Sequence, residues 1–92
     1  MGIDISGGMF VGKWAKDTAL TKEGEEMIED GEIACISPWY DADREDCFIG
    51  IGIKDYRIDQ LDFLIKEVEG ISKKLTPILG EGIMLVGMQD VT

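Results

Sequence analysis

Cys47-Phe48-Ile49-Gly50-Ile51-Gly52-Ile53-Lys54 is the stretch on which the fold turns. Its strict alternation puts Ile49, Ile51 and Ile53 on one face of a strand and Phe48, Gly50 and Gly52 on the other. Upstream, Glu32–Trp39 carries Ile33, Ala34, Cys35 and Ile36 at its centre, and Pro38 ends regular pairing or marks an edge. The polar run Asp41-Ala42-Asp43-Arg44-Glu45-Asp46 separates the two segments, so they are expected to form an antiparallel hairpin. With the loop centred near Asp43 and Arg44, Cys35 falls opposite about Gly52 and Cys47 opposite about Tyr40. That spacing keeps the two thiols too far apart to bond.

Outward from the hairpin, helical periodicity takes over. From about Arg57 to Leu75, Ile58, Leu61, Leu64, Ile65, Val68, Ile71 and Leu75 recur at three- and four-residue spacing. Asp55 or Asp59 is placed to cap this helix, Lys73 and Lys74 suit its last turn, and Pro77 stops it. Thr18–Asp30 reads as a shorter helix with Leu20, Met27 and Ile28 on one face, weakened by Gly24 and ended by Gly31. A strand is expected over about residues 3–14, bent at Ser6-Gly7-Gly8. The last strand, Ile83-Met84-Leu85-Val86-Gly87-Met88, follows a turn bounded by Gly80 and Gly82. It is apolar on both faces and is therefore expected at the centre of the sheet.

The order strand, helix, strand, strand, helix, strand in a single domain spanning 1–92 predicts an α+β, ferredoxin-like βαββαβ sandwich. Right-handed crossovers put both helices on one face of a four-stranded antiparallel sheet. Ile49, Ile51 and Ile53 then face the helices, and Phe48, Gly50 and Gly52 line an open face. The alternative is a sheet covered by the long helix alone, the acidic segment failing to pack.

Composition narrows the function. The 92 residues include 19 Asp and Glu against 9 Lys and Arg, with no His, for a net charge of −10 and a pI near 4.2. Without histidine there is no His-based triad and no imidazole metal site. The acidic balance opposes direct binding of DNA or RNA, which needs Lys and Arg for the phosphates. Two cysteines do not make a disulfide framework, and no apolar run reaches the ~18–20 residues that span a bilayer. A cytoplasmic, non-enzymatic protein without a cofactor is the expectation, in the host cytoplasm if the chain is phage-encoded. Gly2 and Ser6 match the loose myristoylation pattern, but one acyl chain on an acidic protein anchors weakly.

Three short motifs bear on chemistry. Gly2-Ile3-Asp4-Ile5-Ser6-Gly7-Gly8 resembles the first phosphate loop of actin-like sugar kinases, but the second phosphate loop has no counterpart. Met9-Phe10-Val11-Gly12-Lys13-Trp14 resembles the first-strand motif of RNA-recognition domains, with Phe10 and Phe48 as stacking aromatics. The basic and aromatic third-strand motif of that family is replaced here by alternating isoleucine and glycine. Asp41, Asp43 and Glu45 open like a calcium loop, yet Asp46 stands where that loop has Gly and Gly52 where it has Glu. A weak carboxylate cation site at residues 41–46 is all that spacing supports. Cys35 and Cys47 have neither a histidine nor a second cysteine pair to work with and read as small core residues.

The charge is regional. Glu23, Glu25, Glu26, Glu29, Asp30, Glu32, Asp41, Asp43, Glu45 and Asp46 face only Lys22 and Arg44, which leaves −8 on residues 22–46 and −2 on the other 67. Trp39 and Tyr40 stand inside this segment, and large aromatics ringed by charge suit a binding hot spot. In size, composition and charge patch the chain resembles small acidic phage-encoded inhibitors of bacterial defence, the anti-CRISPR and DNA-mimic proteins. That resemblance implies a bacterial protein partner with a basic surface, no cofactor and no catalysis. It carries over to the ten acids with Trp39 and Tyr40 as the partner-binding surface. The competing reading is a small-molecule or regulatory module acting as an oligomer, a homodimer being one form, with Gly12, Gly50, Gly52 and Gly87 leaving room for a ligand or a subunit.

Overall fold

A computed structural model describes residues 5–91 of the chain. It contains β1 (Ile5–Trp14), α1 (Lys22–Glu29), β2 (Ala34–Ile36), β3 (Phe48–Ile53), α2 (Leu61–Leu79) and β4 (Met84–Val91). The strands form one antiparallel sheet in the order β2-β3-β1-β4. Met27 of α1 and Leu75, Ile78 and Leu79 of α2 bury themselves with Ile33 and Ile49 in one cluster, so both helices cover the Ile49 face. The alternative of an unpacked acidic helix is thereby excluded.

α1 is shorter than its pattern predicts, and Thr18 shows why. Its hydroxyl donates to the carbonyl of Leu79 at 2.6 Å, satisfying one of the free carbonyls that end α2, and so it lies outside α1. Thr21 caps α1 instead, its side chain accepting from the Gly24 N–H at 3.0 Å. Gly24 is a packing device as well as a weak helix former: a Cβ there would stand 2.7 Å from Leu20 and 3.0 Å from Ile78.

α2 also departs from expectation at both ends. A 3₁₀ turn, Ile58–Gln60, leads into it, and Gln60 rather than either aspartate accepts the Arg57 N–H at 3.2 Å. Asp59 is occupied by the Arg57 guanidinium at 3.1 Å. At the far end the helix runs through Pro77 to Leu79. An interior proline costs about 3 kcal/mol, but continuing the helix buries Ile78 and Leu79, each worth roughly 1.5–3 kcal/mol. Of the predicted apolar stripe only Leu75 is fully buried, while Leu64, Val68 and Ile71 are half-buried. An eight-residue helix is about 12 Å long and a nineteen-residue one about 28 Å. α1 therefore reaches only the last turns of α2, and Ile58, Leu61, Phe63 and Ile65 stay exposed.

The sheet differs from the expected one in three ways. β2 is only three residues long, and the hairpin register pairs Cys35 with Ile49, not Gly52. The eleven residues between β2 and β3 include a 3₁₀ turn, Arg44–Asp46, which moves the centre of the connection toward the N-terminus. Second, β4 lies at an edge, leaving Met84 and Leu85 exposed. Third, the face opposite the helices is not open. Phe48 has 0% of its surface exposed and Ile36 1%, and Trp14 meets Phe48 edge-on with ring centroids 5.1 Å apart. The Val91 N–H donates to the Ser37 carbonyl at 2.7 Å, and the Ser37 N–H to Asp90 Oδ1 at 3.0 Å. Ser37 follows one edge strand and Val91 ends the other, so the sheet coils until its two edges meet at a corner.

The coil rests on a pair of glycines. Gly12 and Gly50 lie opposite one another on β1 and β3, both buried. A Cβ on Gly12 would stand 2.6 Å from the Gly50 Cα and collide with the Ile49 carbonyl, while one on Gly50 would collide with the Val11 carbonyl. These glycines hold two backbones together and leave no room for a ligand. Gly12→Ala and Gly50→Ala are each predicted to lower stability by about 1–3 kcal/mol or more, the range for overpacking. Urea unfolding would show this, and an unchanged midpoint for either variant contradicts it.

Candidate functional site

Ten acidic residues and two aromatics form the candidate surface, and the fold sets most of them outward. Glu23, Glu25, Glu26, Glu29, Asp30, Glu32, Trp39, Tyr40, Asp41, Asp43 and Glu45 are exposed; Asp46 is half-buried. Burying Met27 and Gly24, with Ile28 packed at the margin of the core, turns the rest of α1 to water, and that face is Lys22 and four glutamates. After Gly31, with φ +80°, the chain turns back to bury Ile33 and leaves Glu32 outside.

The structure joins the helix to the connection between β2 and β3. Arg44 donates to Glu25 at 3.0 Å with both side chains about half exposed, a pair worth about 0–1 kcal/mol. Its importance is positional, because it sets the first turn of α1 beside the 41–46 loop. Between them lies a cleft of ≈ 440 Å³ with Ala15, Leu20 and Ile49 at its base and Glu25, Asp43, Arg44 and Glu45 around it. A second cleft of ≈ 440 Å³ runs between α1 and the end of α2, lined by Glu23, Glu26, Asp30 and Glu32. Lys74 stands in this second cleft, as Lys16 does beside Trp39 and Asp46 in a smaller hollow of ≈ 200 Å³. Both cations lie outside residues 22–46 in sequence and enter the surface only through the fold.

Asp43, Glu45 and Asp46 bring carboxylate oxygens within 4.8 Å of one another. An all-oxygen set of this kind suits a hard cation such as Ca²⁺ or Mg²⁺. Trp39, 53% exposed, lies by Asp46 in the smaller hollow, and Tyr40 next to it in the chain is 63% exposed. Glu29, Tyr40 and Asp41 line none of the three clefts. Asp41 adopts φ 59°, a turn conformation that Asp tolerates better than most residues. No helix among the described residues is long and apolar enough to cross a membrane. The phosphate-loop resemblance falls on residues 2–8, of which 2–4 lie outside the described residues, as does the myristoylation glycine.

Compared with known proteins, the chain matches no family model, no curated protein and no solved structure.

The cysteines correct an expectation. With Cys35 opposite Ile49, Cys47 follows on the same side of the hairpin as its diagonal neighbour, instead of several pairs away. The Cys47 thiol donates to the Asp43 carbonyl at 3.4 Å and lies 3.7 Å from the Ser37 hydroxyl. Burial, and next the adjacent Cys47 thiol, push the Cys35 thiol up from its ordinary 9.0 to about 11. The folded value exceeds the unfolded one, so the stabilisation is complete below pH 9 and is lost as pH rises from 9 toward about 11. At neutral pH the native Cys35 thiolate fraction should be about a hundredfold below that of the unfolded chain. Iodoacetamide at pH 7.5 should therefore label Cys35 far more slowly in native protein than in urea, and equal rates would contradict the assignment.

Proposed function

We propose that the chain is a non-catalytic inhibitor whose acidic face docks on a basic, nucleic-acid-binding surface of a bacterial protein, in the manner of phage anti-defence proteins. The observation that carries this reading is the joining of two acidic segments by the Glu25–Arg44 contact, with the side chains of Trp39 and Tyr40 exposed in the same connection between β2 and β3. Carboxylates on a folded frame offer a basic groove what phosphates would, and opposite charge steers the encounter. The exposed aromatics supply the apolar area that such an encounter lacks by itself. The setting is the cytoplasm of the host cell. The βαββαβ order, the sheet order β2-β3-β1-β4 and the shared helix face support a ferredoxin-like scaffold, modified by the coil that closes one corner.

A second reading, a small-molecule or regulatory module, draws on the cleft floored by Ala15, Leu20 and Ile49. Ligands of that class are expected to raise the melting temperature, whereas a docking protein gives no such shift with nucleotides or amino acids.

Reversing Glu25, Glu26, Glu29, Asp41, Asp43 and Asp46 to lysine tests the docking reading. The wild type should retain a basic bacterial protein from a lysate in low salt and release it as salt rises, since exposed charges are screened within about 8–10 Å. The reversed protein should keep its circular dichroism spectrum and lose the partner. Retention of the same partner by the folded, reversed protein overturns the proposal.

A further inference from the structure

The free edge of β4 has a definable hydrogen-bonding pattern. In an antiparallel sheet the N–H and C=O of one residue point to the same side, and successive residues alternate. The Val91 N–H leaves β1 to reach Ser37, which sets the odd-numbered residues of β4 outward. An independent bond agrees. The Ala15 N–H donates to the Cys47 carbonyl at 2.9 Å, so odd-numbered residues of β1 face β3 and even-numbered ones face β4. By the register, the partners of those even residues are Met84, Val86, Met88 and Asp90. The N–H and C=O groups of Leu85, Gly87 and Gln89 therefore point away from the sheet, and they have no protein partner among the described residues.

This edge lacks the usual protection. Edge strands are ordinarily blunted by lysine, proline, a bulge or brevity. β2 has that protection, being three residues long with Pro38 just beyond and Ser37 already bonded. β4 is bonded through its backbone to Ser37 only at its last residue, Val91; the other seven residues include neither lysine nor proline, and Met84 and Leu85 are 44% and 39% exposed. Its single charge is Asp90, in a chain that holds −8 on residues 22–46. Like-charge repulsion drives two copies away from their acidic faces and leaves this strand, with one charge near its end, as the surface where they can meet.

We infer that β4 pairs with β4 of a second copy, antiparallel about a two-fold axis at Gly87, to make one continuous eight-stranded sheet. This does not rest on the acidic-face reading. The centre follows from self-complementarity: with Gly87 opposite Gly87, Leu85 of each copy lies opposite Gln89 of the other. Every outward N–H and C=O of Leu85, Gly87 and Gln89 then finds a partner. Between these pairs, Val86 faces Met88 and Met84 faces Asp90, so no like charges are opposed. At the axis, the space a Gly87 side chain would occupy has no atom within 4 Å.

The test uses the full chain. Sedimentation and light scattering across protein concentration should show the 10.2 kDa chain converting to twice that mass. In the dimer, amide exchange of Leu85, Gly87 and Gln89 should slow along with that of Val86 and Met88, which bond to β1. Gly87→Pro removes an outward N–H that the monomer does not use, and Leu85→Lys adds a gatekeeping charge at the edge. Each should weaken dimerisation by about tenfold or more, the equivalent of about 1.4 kcal/mol, with the circular dichroism spectrum unchanged. If Gly87→Pro fails to fold, Leu85→Lys and the exchange pattern still decide. A chain that stays monomeric up to about millimolar concentration overturns the inference, the range in which weak pairing becomes populated. So does a dimer in which the three odd-numbered amides exchange freely.

Discussion

The close approach of β1 and β3 at Gly12 and Gly50 is the constraint on which the rest of the structure depends. Two side-chain-free residues, buried opposite one another, let the central strands come nearer than any Cβ would permit. The sheet can then coil far enough for Val91 to reach Ser37 across its width. The coil folds the face opposite the helices inward, so Phe48 and Ile36 find cover without a third layer of helices. A chain of 92 residues has little interior to spend, and a sheet buried on both faces by its own curvature gains more from each apolar side chain than a flat one with one face wet.

The same economy explains where the charge sits. α1 is too short to cover α2, and its buried contribution comes chiefly from Met27, with Gly24 making the close contact to Ile78. Its other positions are free to be acidic at little cost in packing. The connection between β2 and β3 is likewise held by backbone bonds of the 3₁₀ turn and by the Cys47 thiol, and the side chains of Asp41, Asp43 and Glu45 make no hydrogen bond among the described residues. Like charges gathered on one surface repel, and one exposed ion pair offsets only a small part of that. A cost the core does not require is the physical ground for giving that surface a role outside the molecule.

What was legible in the sequence is what short periods encode. The two-residue alternation of Phe48–Ile53 set the right faces, and the spacing of Leu64, Val68, Ile71 and Leu75 marked the covered side of α2. Register was not legible, because it depends on the shape of an eleven-residue connection with Asp41 at positive φ and a 3₁₀ turn at its end. The proximity of Cys35 and Cys47 depends on that same register and is hidden with it. Nor could periodicity show that helix α2 would continue through Pro77, since the compensation comes from contacts made by Ile78 and Leu79 across the fold. At the acidic surface the residues could be read one by one, but their juxtaposition through Arg44, and the presence of Lys74 and Lys16, arise only in three dimensions.

A segment apolar on both faces, such as Ile83–Met88, reads as a strand with neighbours on either side. Among the described residues of one chain it pairs only with β1, and Met84 and Leu85 are left in water. The two statements conflict for a monomer and agree for a dimer in which β4 is central to a sheet shared by two copies. The local pattern was then specifying the assembly in place of the protomer. Two-fold pairing there would also present two acidic faces on one particle, which raises avidity for a partner that is itself two-fold symmetric and adds nothing for one that is not.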